Sequence, residues 1–156
     1  MPDSPIKSRI RVAITDQQSH VRCNAERLRR AVRHAFRNAN GRNVQVGVAI
    51  VDDATIHELN RRHLNHDYPT DVLSYPLEES PTALEGEIVV SAETARRAAP
   101  EYGWSPEDEL CLYVVHGALH LAGYRDKSAA EQDAMRRAER EVLASLGIEI
   151  PRRDDS

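Results

Sequence analysis

"VVHGALHLAGYRD", residues 114–126, is apolar or small at almost every position, yet it carries His116 and His120. Upstream, "SPEDEL" supplies a complete helix start. Ser105 is suited to cap, Pro106 to the first helical position, and the acids that follow to the positive end of the dipole. Gly123 is a stop signal. The pattern predicts a helix over 105–123 that is apolar nearly all round, and such a helix belongs in the centre of a fold. Two imidazoles buried there are costly unless something satisfies them.

Residues four apart in a helix lie one above the other, so both rings project from one face. Gly123 then lets the chain turn back, and Asp126 offers a carboxylate to the same place. The frame H-x3-H-x2-G-x2-D gives three N/O donors and an open fourth position. That suits a catalytic zinc site, one ion per chain, better than a closed structural one. Zinc proteases with the same histidine spacing need glutamate directly after the first histidine as general base. Gly117 stands there, so a protease would lack its base.

Outward from this helix the chain alternates in type. "RIRVAIT" (9–15) reads as a strand of period two, and 21–38 as an amphipathic helix with Ala25, Leu28, Val32 and Ala35 on one face. "NVQVGVAIVD" (43–52) is a second strand, with Gly47 a site for a bulge. Asp53 is placed to cap a short helix through Leu64. "TDVLSYPL" (70–77) and "GEIVVS" (86–91) are further strands. A short helix over 92–103 follows. The last helix opens on a Ser128–Glu131 capping box and closes at Gly147. Strands early and helices late imply an α+β fold: a small mixed four-stranded sheet packed with about five helices around the histidine-bearing one. One domain is expected over 1–156, with an ordered core from about 8 to 149 and frayed tails.

The 156 residues suffice for a substantial core, and 40% hydrophobic with 29% charged is ordinary for a globular protein. The longest apolar stretch, Leu110–Gly123, is too short for a bilayer. "MPDSPIKSRIRVAIT" lacks a secretory apolar segment, so a cytoplasmic protein is expected. Cys23 and Cys111 sit among apolar neighbours and read as reduced core thiols. A net charge of −4 argues against a general nucleic-acid coat. The charge is uneven, however: residues 21–37 hold six arginines, and Arg61 and Arg62 sit in "NRRHLNH". These faces either contact phosphate locally or are simply solvated.

With these motifs in view, the chain resembles the YbeY family of bacterial ribosomal-RNA maturation factors. "HGALHLAGYRD" resembles the family signature H-G-x-L-H-L-x-G-Y-D-H. "LNRRHLNHDYPTDVLSYP" resembles its L-N-x-x-Y-R-x-x-D-x-P-T-D-V-L-S-F-P segment, and "GEIVVSAETARRAA" its G-D-I-V-I-S strand and helix. The likeness runs from about Val44 to Gly147. It implies a zinc-dependent, single-strand-specific endoribonuclease that matures the 3′ end of small-subunit ribosomal RNA and serves ribosome quality control. The small ribosomal subunit would be its partner.

Two positions depart from the family. Asp126 stands where the family has its third histidine ligand; a shifted alignment would put Lys127 there, and lysine is a poor zinc ligand. Leu64 stands where the family has an arginine, with Arg61 and Arg62 on the same helix as possible RNA-binding substitutes. Asp71 has two readings: a catalytic carboxylate that orients water at the metal or an RNA hydroxyl, or a turn cap. Tyr124 either stacks on a base or packs under the metal loop. His63 and His66 flank the expected cleft; His20, His34 and His57 read as surface residues. Two other functions stay open: an assembly factor that keeps the metal and binds RNA but has lost activity through Leu64, and a metal-dependent hydrolase of another substrate, such as a peptide.

Overall fold

The computed structural model describes residues 9–39, 41–64 and 70–151, with the side chains of His63 and Leu64 outside that set. His66 and most of the expected frayed tails also lie outside the described residues. The chain runs β1 (Arg9–Asp16), α1 (Ala25–Ala35), β2 (Asn43–Val51), α2 (Asp53–Leu64), β3 (Val72–Glu79) and β4 (Ala83–Ser91). Three helices follow: α3 (Ala92–Tyr102), α4 (Pro106–Leu121) and α5 (Ala129–Ser145). The architecture is the expected α+β one, with a mixed four-stranded sheet and five helices.

The sheet order is β1-β2-β4-β3. The first three strands in that order are parallel, and β3 runs antiparallel to β4 along the edge. Alternation along β2 and β4 decides what each face meets. Val44, Val46, Val48 and Ile50 pair in register with Leu84, Gly86, Ile88 and Val90, and this face packs into the main core with α1, α3, α4 and α5. The opposite face carries Val51, Val89 and Leu73, which bury Ile56 of α2.

Helix α4 is the hub. From Glu109 to Leu121 every residue is buried except His116 and His120. Two glycines let it lie close to β4. A Cβ at Gly117 would come within 2.8 Å of Ile88 Cγ2, and one at Gly86 within 2.9 Å of Leu121 Cδ1. The expected signals at its ends hold: Ser105 accepts from the Asp108 N–H, Pro106 opens the helix, and Gly123 turns the chain at φ 111°.

Four local expectations need correction. Helix α1 starts at Ala25 rather than near residue 21. The backbone N–H groups of His20 and Val21 donate to Gln18 Oε1 (2.7 and 2.9 Å), which holds a turn there, and Asn24 caps the helix. Gly47 forms no bulge, since its register with Ala13 and Glu87 is unbroken; the irregularity lies in β3, between Pro76 and Glu78. Asp53 does not cap α2. Asp52 does, accepting from the Thr55 N–H at 2.8 Å, while Asp53 accepts from Ser91, Thr94 and Arg97 and ties α2 to α3. The β3–β4 hairpin is longer than expected: the strands reach Glu79 and Ala83, and the turn at 80–82 is held by the Ser80 hydroxyl. Cys23 and Cys111 are free thiols; burial pushes them up to about 12 and about 11.

Candidate metal centre

The last turns of α4 present His116 and His120 on one side, and the turn after Gly123 brings Asp126 beneath them. His120 Nε2 lies 3.1 Å from His116 Nε2. Asp126 Oδ2 is 3.2 Å from His120 Nε2 and 3.9 Å from His116 Nε2. The two rings meet edge to face, 82° apart. Each imidazole is 29% exposed and Asp126 44%, so the cluster is partly open to solvent.

What makes these donors unusual is the state of the other ring nitrogens. His116 Nδ1 lies 2.6 Å from Glu139 Oε2, and His120 Nδ1 lies 3.1 Å from the Tyr124 carbonyl. A carbonyl or a carboxylate accepts, so each neutral imidazole carries its proton on Nδ1 and leaves a lone pair on Nε2. Two such lone pairs face each other at 3.1 Å with a carboxylate oxygen beside them. That arrangement is repulsive unless a cation or a proton lies between. Two nitrogens bound tetrahedrally at about 2.05 Å from zinc would be about 3.3 Å apart, close to the spacing here. The donor set therefore fits a metal of that size, and the Nδ1 partners are the orienting acceptors that metal-bound histidines usually have.

Glu139, on α5, was not visible in the motif. It is only 12% exposed and sits on the buried stripe with Met135, Ala138 and Val142. A carboxylate at helical spacing within an apolar stripe was the available signal. The Ser128–Glu131 capping box fixes the start of α5, and Gln132 Nε2 donates to the Asp126 carbonyl at 3.0 Å, pinning the ligand loop. His116 titrates above an ordinary histidine. Burial disfavours its cation, but the hydrogen bond and charge of Glu139, with the charges of Asp71 and Asp126, outweigh that effect.

The other expected residues fall as follows. Asp71 is exposed just before β3, near enough for its charge to act on His116. Its carboxylate accepts from the Thr70 hydroxyl at 3.4 Å, and among the described residues no backbone N–H caps it. Arg61 and Arg62 lie on α2, across the sheet from α4, 54% and 66% exposed, with Glu58 at 2.6 and 3.6 Å. They are not part of the cluster. The Tyr124 ring is half-buried and packs against the main core, while its carbonyl orients His120.

Beside the cluster, α4, α5 and the segment after α5 enclose a cavity of about 550 Å³. His116, Asp126 and Glu139 line one side, Leu112, Met135 and Ile150 supply apolar surface, and Arg136 and Arg140 complete the wall.

Comparison with known proteins gives the chain a family. A family model described as Endoribonuclease YbeY matches residues 13–147. A protein of that description from Rhodopirellula baltica is 54% identical over 112 residues, covering 70% of this chain. The match spans 58% of that relative, little more than half its length. One from Desulfitobacterium hafniense is 42% identical over 121 residues, covering 71% of this chain and 77% of its own. The fold is similar to a solution structure of a Thermotoga maritima protein, with a TM-score of 0.59 and 30% identity over 88% of this chain and 91% of that one. The chain belongs to the YbeY family.

Proposed function

We propose that this chain is a zinc-dependent endoribonuclease for single-stranded RNA. Its substrate would be the 3′ region of small-subunit ribosomal RNA, encountered in the cytoplasm on the small ribosomal subunit, with a role in ribosome quality control. The observation that carries the reading is the pair of Nε2 lone pairs at 3.1 Å, held by Glu139 and the Tyr124 carbonyl beside Asp126, in a chain of this family.

His116, His120 and Asp126 would hold the ion. When bound, zinc supplies Lewis acidity toward a phosphate oxygen and toward water. The protein's own contribution is positional. Glu139 keeps the His116 proton on Nδ1, and the Tyr124 carbonyl does the same for His120. Gln132 fixes the loop that carries Asp126. Asp71, whose charge reaches His116, would accept a hydrogen bond from the attacking hydroxyl and so orient it.

The test is metal content measured together with cleavage of a single-stranded RNA oligonucleotide, with a chelator control. One zinc per chain is expected, with its loss and loss of cleavage in His116→Ala and in His120→Ala. Full occupancy in the double variant, or cleavage indifferent to chelation, would overturn the reading. Leu64 favours a second reading, a metal-holding RNA-binding assembly factor, which predicts RNA binding without cleavage in the same assay.

A further inference from the structure

We infer that the cavity between α4, α5 and the segment after α5 is a subsite for one RNA nucleotide, its phosphate held by Arg136 and Arg140. The inference rests on the endoribonuclease reading of the adjoining cluster and adds where the chain of the substrate runs. Three observations carry it. First, the cavity shares His116 and Asp126 with the cluster, so whatever fills it touches the reacting group. Its volume of about 550 Å³ lies within the usual range of small-ligand sites, about 300–1,000 Å³.

Second, its charges balance only without a ligand-bearing cation. Arg136 and Arg140 offset Asp126 and Glu139, so the metal-free wall is near neutral. A divalent ion on the histidines makes it net positive by two charges, in a partly enclosed space where such a charge attracts an anion. Arg140 makes no ion pair among the described residues. Arg136 has Asp133 at 3.8 Å, an i,i+3 pair on one helix whose carboxylate is 70% exposed, and a phosphate would compete with that carboxylate. The two arginines are four apart, so they present their forks on one face of α5.

Third, the remaining wall is apolar. Leu112, Met135 and Ile150 offer a surface for a base or ribose, and the Gln132 amide is already committed to the Asp126 carbonyl. The cavity thus has a place for a phosphate and a place for an apolar face, but little to read a base edge. It suits any nucleotide rather than one.

The test uses full-length protein, metal-loaded and chelated, with a fluorescein-labelled single-stranded RNA followed by anisotropy across a salt series. Arg136→Gln/Arg140→Gln should raise Kd roughly tenfold or more. It should also reduce the slope of log K against log salt by about 0.7, one phosphate's worth. Metal content and melting temperature should stay unchanged, and in cleavage KM should rise with kcat largely kept. Arg96→Gln on α3, away from the cavity, is the control. An affinity and slope equal to wild type overturn the subsite while leaving a cleaving enzyme intact. Arginine-dependent binding without cleavage supports the subsite and fails the enzyme reading. Absence of RNA binding by wild type overturns both.

Discussion

Glu139 shows how much one side chain sets at this centre. Its carboxylate lies 2.6 Å from His116 Nδ1 and is nearly buried, so it fixes both the ring and the tautomer that leaves Nε2 open. Glu139→Gln keeps the shape and an acceptor oxygen but removes the charge, and its amide can present the wrong group to Nδ1. Zinc affinity should fall about 10- to 100-fold, as loss of such a partner usually costs, with the circular-dichroism spectrum unchanged. Calorimetric titration with zinc checks this; undiminished affinity would show that the α4 turn alone orients the ring. His116, His120 and Asp126 were legible in the sequence because all three lie within eleven residues, on one helix and its turn. Glu139 was not, because its partner is 23 residues away and only the packing of α5 against α4 brings them together.

At the scale of the element, what matters is how closely α4 approaches β4. Gly117 lies between the two histidines, and a Cβ there would meet Ile88 Cγ2 at 2.8 Å and Val72 Cγ2 at 3.3 Å. Gly117→Ala therefore sets two effects against each other. Alanine in a helix interior gains up to about 1 kcal/mol over glycine, while overpacking a tight core costs about 1–3 kcal/mol. The neighbours are β-branched side chains in strands, Ile88 fully buried, and neither has a flexible end to move aside. Net destabilisation of about 1–2 kcal/mol is expected by urea denaturation. Zinc binding should weaken with it, since α4 must lift and carry both ligands. Stabilisation by this change would mean the helix floats over the sheet rather than seating on it. The glycine's importance was hidden in the sequence, where it marked only the missing base of a protease. Elements with chemical start and stop signals were legible: Ser105–Pro106, Gly123 and the Ser128 box all hold. The start of α1 and the cap of α2 were not, because in each a polar side chain other than the expected one, Asn24 or Asp52, took the role by hydrogen bonding.

For the whole molecule, His116 links stability to pH with opposite signs in the two metal states. Burial opposes the His116 cation, but Glu139, Asp71 and Asp126 together raise its titration above the ordinary histidine value of about 6.5. In metal-free protein this stabilises the fold fully below about pH 6.5, where the unfolded histidine is also protonated, and the contribution is lost as pH rises through the raised folded value. Metal occupancy runs the other way, because ion and proton compete for Nε2. Chelated protein should therefore melt at a lower temperature at about pH 8 than at about pH 6, while the stabilisation gained on adding zinc grows over the same interval. The Asp53 carboxylate does not intrude on this window. Burial disfavours the Asp53 charge, yet Ser91, Thr94 and Arg97 hold its titration below the usual value, so its contribution is present above about pH 3.9 and lost only in stronger acid. Scanning calorimetry at several pH values, with chelator or with one equivalent of zinc, measures both trends. In Glu139→Gln the downward trend of the chelated protein should flatten, because the largest source of the raised titration is gone. A chelated melting temperature that climbs from pH 6 to 8, or a zinc effect independent of pH, would show that His116 does not bear the proton the ion displaces.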